Sequence, residues 1–86
     1  MNNQEMNIEM VKTLNKWDPF QIGEGNYETE IADCIQAVHD TDNTNVLAEK
    51  IQSIYEFSFE EYIAIEQCIA ISKQLLLIKD SGTCSI

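Results

Sequence analysis

Arginine is absent from this chain, and only five lysines stand against 15 acidic residues. Phosphate recognition needs clustered basic side chains, so nucleic acid is excluded as a partner, and anionic membrane surfaces are excluded for the same reason. Histidine occurs once, as His39. A carboxylate-bridged di-metal bundle needs two inward Glu-x-x-His pairs, and here Gln36 stands where the glutamate of such a pair would be. Three glycines and one proline leave no glycine-rich phosphate loop. Three cysteines, Cys34, Cys68 and Cys84, are too few and too scattered for a disulfide framework, and fit a reducing compartment. Cys34 and Cys68 fall at apolar helical positions and read as small core side chains. Long apolar runs are missing too. The nearest, residues 63–78, is broken by Glu66, Gln67, Lys73 and Gln74. The opening MNNQEMNIEM has neither a basic region nor an apolar run of the signal-peptide kind, so the expected location is cytoplasmic.

What is present is helical periodicity, most of all in residues 58–79, SFEEYIAIEQCIAISKQLLLIK. Ser58 followed by Glu61 predicts a capping box, with Phe57 and Tyr62 as its hydrophobic staple. Asp80-Ser81-Gly82 predicts the end near Lys79. At 100° per residue, Tyr62, Ala64, Ile65, Cys68, Ile69, Ile71, Leu75 and Leu76 share one half of the wheel. Ile63, Ala70 and Leu77 recur every seven residues as a second, narrower seam. A helix apolar on two sides belongs at the centre of a bundle. The second seam is then covered by the first helix or the C-terminal tail, or it is a partner or self-association surface.

Three shorter helices precede it. Met6, Met10, Val11, Leu14 and Trp17 have the steps of an amphipathic helix, with Ile8 off the stripe. Pro19 forces a stop by Asp18, and Asp18 is placed to cap a short turn over residues 18–22. Tyr27, Ile31, Cys34, Ile35 and Val38 predict a second helix from Asn26 to His39, with Asn26 as its cap. Leu47, Ile51, Ile54 and Tyr55 predict a third from Asn45 to Glu56, joined to the last by Phe57-Ser58 alone.

The net charge of −10 is unevenly spread. From Asp18 to Glu66 there are 12 acidic residues and one lysine, Lys50, so the centre carries −11 while the two ends are close to neutral. A basic protein partner is electrostatically suited to that centre, and plain solubility is the alternative. Chemistry is harder to find. The loop Asp40-Thr41-Asp42-Asn43-Thr44 begins like a calcium-binding EF-hand, but Asn45 occupies the required glycine position and Ile51 the bidentate glutamate position. Cys34 and His39 are five apart on a helix and point in different directions. No catalytic, cofactor-binding or metal-binding residues emerge, and the expectation is that the chain is not an enzyme.

Trp17-Asp18-Pro19-Phe20, the Tyr27, Glu30, Ile31 helix start, Leu47-Ala48 with Ile51, Ser58-Phe59 and Cys68-Ile69-Ala70 together resemble the YugE-like family of small proteins from spore-forming bacteria. The likeness spans about residues 10–78, with the Trp-Asp-Pro turn its most specific element. It implies a compact all-helical fold and carries no catalytic residues. A looser likeness, in size, charge and helix count only, is to the immunity proteins of nuclease colicins, although the paired-tyrosine motif is absent.

The expected architecture is all-α: a compact four-helix bundle-like domain over residues 1–86 with the long C-terminal helix at its centre and residues 1–5 and 80–86 loose. The expected core is Leu14, Trp17, Phe20, Tyr27, Ile31, Ile35, Leu47, Ile51, Ile54, Tyr62, Ile65, Ile69 and Leu76. The expected function is a non-enzymatic protein-interaction module. Its partner surface is sought in the acidic centre, at Glu24, Glu28, Glu30, Asp40 and Asp42, or on the Ile63, Ala70, Leu77 seam, which would also serve a weak homodimer if the chain is not a monomer. An immunity or antitoxin-type protein that neutralises a basic toxin is one alternative, and a small-ligand or metal carrier another.

Overall fold

Helical periodicity becomes four helices in the computed structural model, which describes residues 3–23, 25 and 27–84. They are α1 (Asn3–Trp17), α2 (Glu28–Asp40), α3 (Thr44–Phe59) and α4 (Ile65–Cys84), with no strand among the described residues. The chain is an all-α bundle. α4 is its longest helix and packs against the other three, most extensively against α3. Both termini are more helical than the sequence suggests, since α1 begins at Asn3 and α4 runs on through Ser81 and Gly82. One interior glycine costs a helix only about 1 kcal/mol, and no proline follows to stop this one.

On α1 the residues at steps of four, Met6, Met10 and Leu14, are buried, while Ile8 stands out at 46% exposure. α3 is capped by Asn43, whose Oδ1 accepts from the Val46 amide at 3.0 Å. α2 ends against Lys79 of α4, whose ammonium donates to the carbonyls of Val38 (2.9 Å) and Thr41 (3.4 Å). A cation there meets the unpaired carbonyls and negative pole of a helix C-terminus.

The junction of the last two helices differs from the sequence reading. Ser58 is not a cap. It lies exposed inside α3, which continues to Phe59 and closes at Glu60 in the left-handed region (φ 56°), with the Glu60 amide bonded to the Glu56 carbonyl at 2.8 Å. The reason is aromatic. Four residues on from Tyr55 is one helical turn, so extending α3 delivers Phe59 beside Tyr55, with ring centroids 6.2 Å apart and stacked. That burial outweighs a capping box worth roughly 1 kcal/mol. The staple is lost with it, and Phe57 and Tyr62 are both exposed. Residues 60–64 form the connector, and Gln52 holds it by donating from Nε2 to the Ile63 carbonyl at 2.8 Å.

Of the expected core, Leu14, Tyr27, Ile31, Leu47 and Ile51 are buried, and Trp17, Phe20, Ile35, Ile54, Ile65, Ile69 and Leu76 pack half-buried against them. Tyr62 does not belong to the core. Its place is taken by Ile63, which turns inward from the connector, and by Tyr55, Cys34 and Val38. α4 buries the expected half of its wheel through Cys68, Ile71, Ser72 and Leu75.

Candidate interaction surface

Two regions of the structure carry more than helix packing: the turn that opens with Trp17, and the corner between α3 and α4. At the turn, Pro19 ends α1 and Asp18 (φ 36°) and Gln21 (φ 57°) adopt the left-handed region. Aspartate tolerates that region because its side chain can bond the nearby backbone. The Asp18 carboxylate accepts from the amides of Ile22 (2.9 Å) and Gly23 (3.0 Å) and from the Tyr27 hydroxyl (2.6 Å). That hydroxyl in turn accepts from the Phe20 amide at 3.2 Å. The Tyr27 bond holds the Asp18 carboxyl below its usual range, against a desolvation that raises it, with the Gly23 and Ile22 amides adding to the depression. Burial, then the bond to Asp18, raises the Tyr27 hydroxyl.

Five rings close over this latch. Tyr55 is the hub, with Trp17 edge-on at 5.4 Å, Tyr27 at 5.6 Å, and Phe20 and Phe59 each at 6.2 Å. Phe59 also meets Phe20 at 4.9 Å and Tyr27 at 5.5 Å. The Trp-Asp-Pro-Phe turn therefore acts as a structural clasp, tying the end of α1 to the start of α2 and the end of α3. Asp18→Asn leaves the left-handed backbone tolerable but removes the charge. A carboxylate depressed in the folded state stabilises above its unfolded pKa, and that stability is lost as pH falls through the folded pKa. The expected result is a thermal midpoint several degrees below wild type at pH 7, with the two proteins converging as pH falls through the depressed pKa of the folded carboxyl. Parallel melts from pH 7 to pH 2.5 check it, and a gap that persists at the acid end would contradict the charge-based account.

The residues sought as a partner surface are spread along α2 and beyond its end. Glu24 lies outside the described residues. Glu28 is exposed at the start of α2, whereas Asp40, which accepts from Gln36 at 3.2 Å, ends that helix about 18 Å away at 1.5 Å per residue. Glu30 is only 9% exposed, on the inward side of α2, and is not available to a partner. Asp42 pairs with the Lys79 ammonium at 2.9 Å while its own side chain stays 85% exposed. The seven-residue seam is broken as well. Ala70 and Leu77 are exposed on α4, but Ile63 is off the helix and 3% exposed. No group of three His, Cys, Asp or Glu side chains is placed to hold a metal ion among the described residues, and no helix among them is long and apolar enough to cross a membrane.

The corner between α3 and α4 was hidden in the sequence by the capping-box reading. Phe57 is 89% exposed and Tyr62 70% exposed, the most open of the large apolar side chains among the described residues. Glu56, Glu60, Glu61 and Glu66 are exposed around them, and residues 51–66 contain no lysine. Ser53, Glu56, Phe57 and Glu60 line an open depression of about 650 Å³.

Comparison with known proteins bears on the family. An uncharacterised protein of Bacillus subtilis strain 168, YugE, is 48% identical over 77 residues, which is 90% of each chain. A crystal structure of a protein from Bacillus stearothermophilus superposes with a TM-score of 0.90 at 38% identity, covering 93% of this chain and 99% of that one. The family model described as a domain of unknown function, DUF1871, matches residues 9–85. On the length and closeness of these matches the chain belongs to the DUF1871 family, alongside YugE.

Proposed function

We propose that this protein is a non-enzymatic interaction module that engages a protein partner through the corner between α3 and α4. The observation that carries this reading is the pair of rings, Phe57 and Tyr62, left in water beside a core that holds five other aromatic side chains. Helix continuation to Phe59 does not itself require a phenylalanine at 57, and a polar residue there would cost the fold nothing. Exposed aromatic rings with few rotatable bonds are the side chains that most often dominate protein interfaces.

The test is site-specific photo-crosslinking in the native cells, with a benzophenone amino acid at position 57, at position 62, or at the exposed position 8 on α1. A discrete adduct from 57 and 62 and none from 8 is the expected pattern. Its disappearance when the other ring is changed to alanine would tie it to the pair. Equal adducts from all three positions, or none from 57 and 62, would refute the reading.

A further inference from the structure

The shape and charge around the two rings narrow the partner to one chemistry. The depression at Phe57 shares Ser53 with a second of about 460 Å³ between α2 and α3, lined otherwise by Ala37, Val46, Glu49, Lys50 and Ile54. From Val46 to Phe57 this makes a track about 16 Å long at helical rise, enough for a short peptide segment. Its upper part is mostly apolar, with Val46 39% exposed there and the oppositely charged Glu49 and Lys50 side by side in its wall. Its lower part is aromatic and acidic, with Glu56 and Glu60 in the wall and Glu61 and Glu66 beyond.

Building on the interaction-module reading, we infer that the track receives a lysine- or arginine-bearing segment of another protein, with an apolar side chain seated between α2 and α3 and cationic groups over Phe57 and Tyr62. A cation on a ring face gains electrostatically from the ring quadrupole, and the surrounding carboxylates supply charge-assisted hydrogen bonds. The rings and the carboxylates then act on the same groups of the partner. An acidic segment would be repelled by four glutamates, and a second copy of this chain would bring the same negative corner against its like.

The probe is a twelve-residue synthetic peptide of alternating arginine and leucine, with a glutamate-for-arginine version as control, titrated into isotopically labelled protein and followed by amide chemical shifts. The arginine peptide should move amides of residues 46–66, weaken at least about tenfold between low and high salt, and weaken about tenfold or more in the Phe57→Ala/Tyr62→Ala protein. That double variant keeps the net charge and changes only exposed side chains, so it tests the rings apart from general attraction to an acidic protein. Shifts spread over Glu28, Asp40 and the other carboxylates, with the double variant binding as well as wild type, would overturn the proposal. Equal binding of the glutamate peptide would do the same, as would a dimer in sedimentation that the double variant abolishes. Crosslinking from position 57 without arginine-peptide binding would leave the module reading standing and sink only the basic partner. Absence of crosslinks would sink the module reading itself.

Discussion

Tyr55→Ala is expected to cost about 3–5 kcal/mol, a loss typical of truncating a buried large aromatic residue and comparable with the whole stability of a domain this size, on the order of 5–10 kcal/mol. The ring is fully buried and is the only one in contact with all four others of the cluster. Its removal opens a cavity where α1, α3 and the turn at Asp18 converge. Well-oriented ring pairs add about 0.5–1.5 kcal/mol each beyond their buried area, so the loss belongs at the upper end of the range. Tyr55→Phe separates ring from hydroxyl. The Tyr55 oxygen is buried away from any oxygen or nitrogen partner, and the polar group beside it is the thiol of Cys34, a weak hydrogen-bonding group. Deleting the hydroxyl removes at most a weak bond to a thiol, so the phenylalanine protein should lie within about 1 kcal/mol of wild type. Urea unfolding followed by circular dichroism decides both. An alanine variant within 1 kcal/mol of wild type, or a phenylalanine variant 2 kcal/mol below it, would mean that the hub is misassigned.

How far the sequence could be read follows from the same cluster. Spacing alone located α2 to within two residues, because Tyr27, Ile31, Cys34 and Val38 are all buried on one side of it and their steps reflect that directly. α1 and the body of α3 were legible for the same reason. Between Phe57 and Ala64 two physical signals competed. The Ser58–Glu61 pattern favours a helix start, while Tyr55 and Phe59 at one-turn spacing favour continuation. A local rule cannot weigh those against each other, because the gain from continuation depends on Phe20 and Tyr27, which come from elsewhere in the chain. The same error carried Tyr62 into the expected core, made Phe57 its staple partner, and kept Ile63 out of the core as part of a second seam. The acidic centre was counted correctly from sequence but not placed. Glu30 turns inward and Asp42 meets Lys79 only once the helices are assembled.

At alkaline pH the fold should fail early, and by a nameable route. Cys34, Cys68, Tyr27 and Tyr55 are all completely buried. Burial disfavours their charged forms: it raises Tyr27 above its ordinary 10.0, lifts Cys34 and Tyr55 far beyond the usual thiol and phenol ranges, and pushes Cys68 from 9.0 up to about 11. A group whose folded pKa is raised stabilises fully below its unfolded pKa, and that stability drains away as pH rises toward the folded pKa, because the unfolded chain loses the proton first. Each such group contributes a slope of about 1.4 kcal/mol per pH unit. The two thiols together should therefore remove about 3 kcal/mol per unit from pH 9 upward, and Tyr55 should steepen the fall above pH 10. A domain of this size would then unfold near pH 11. Urea melts at pH 8, 9, 10 and 10.5 measure the slope directly. The Cys34→Ala/Cys68→Ala protein is the necessary comparison: without the two buried thiols it should fall much less steeply than wild type between pH 9 and 10. If wild type and the double alanine protein fall in parallel, the loss comes from surface charge, and the buried thiols play no part in it.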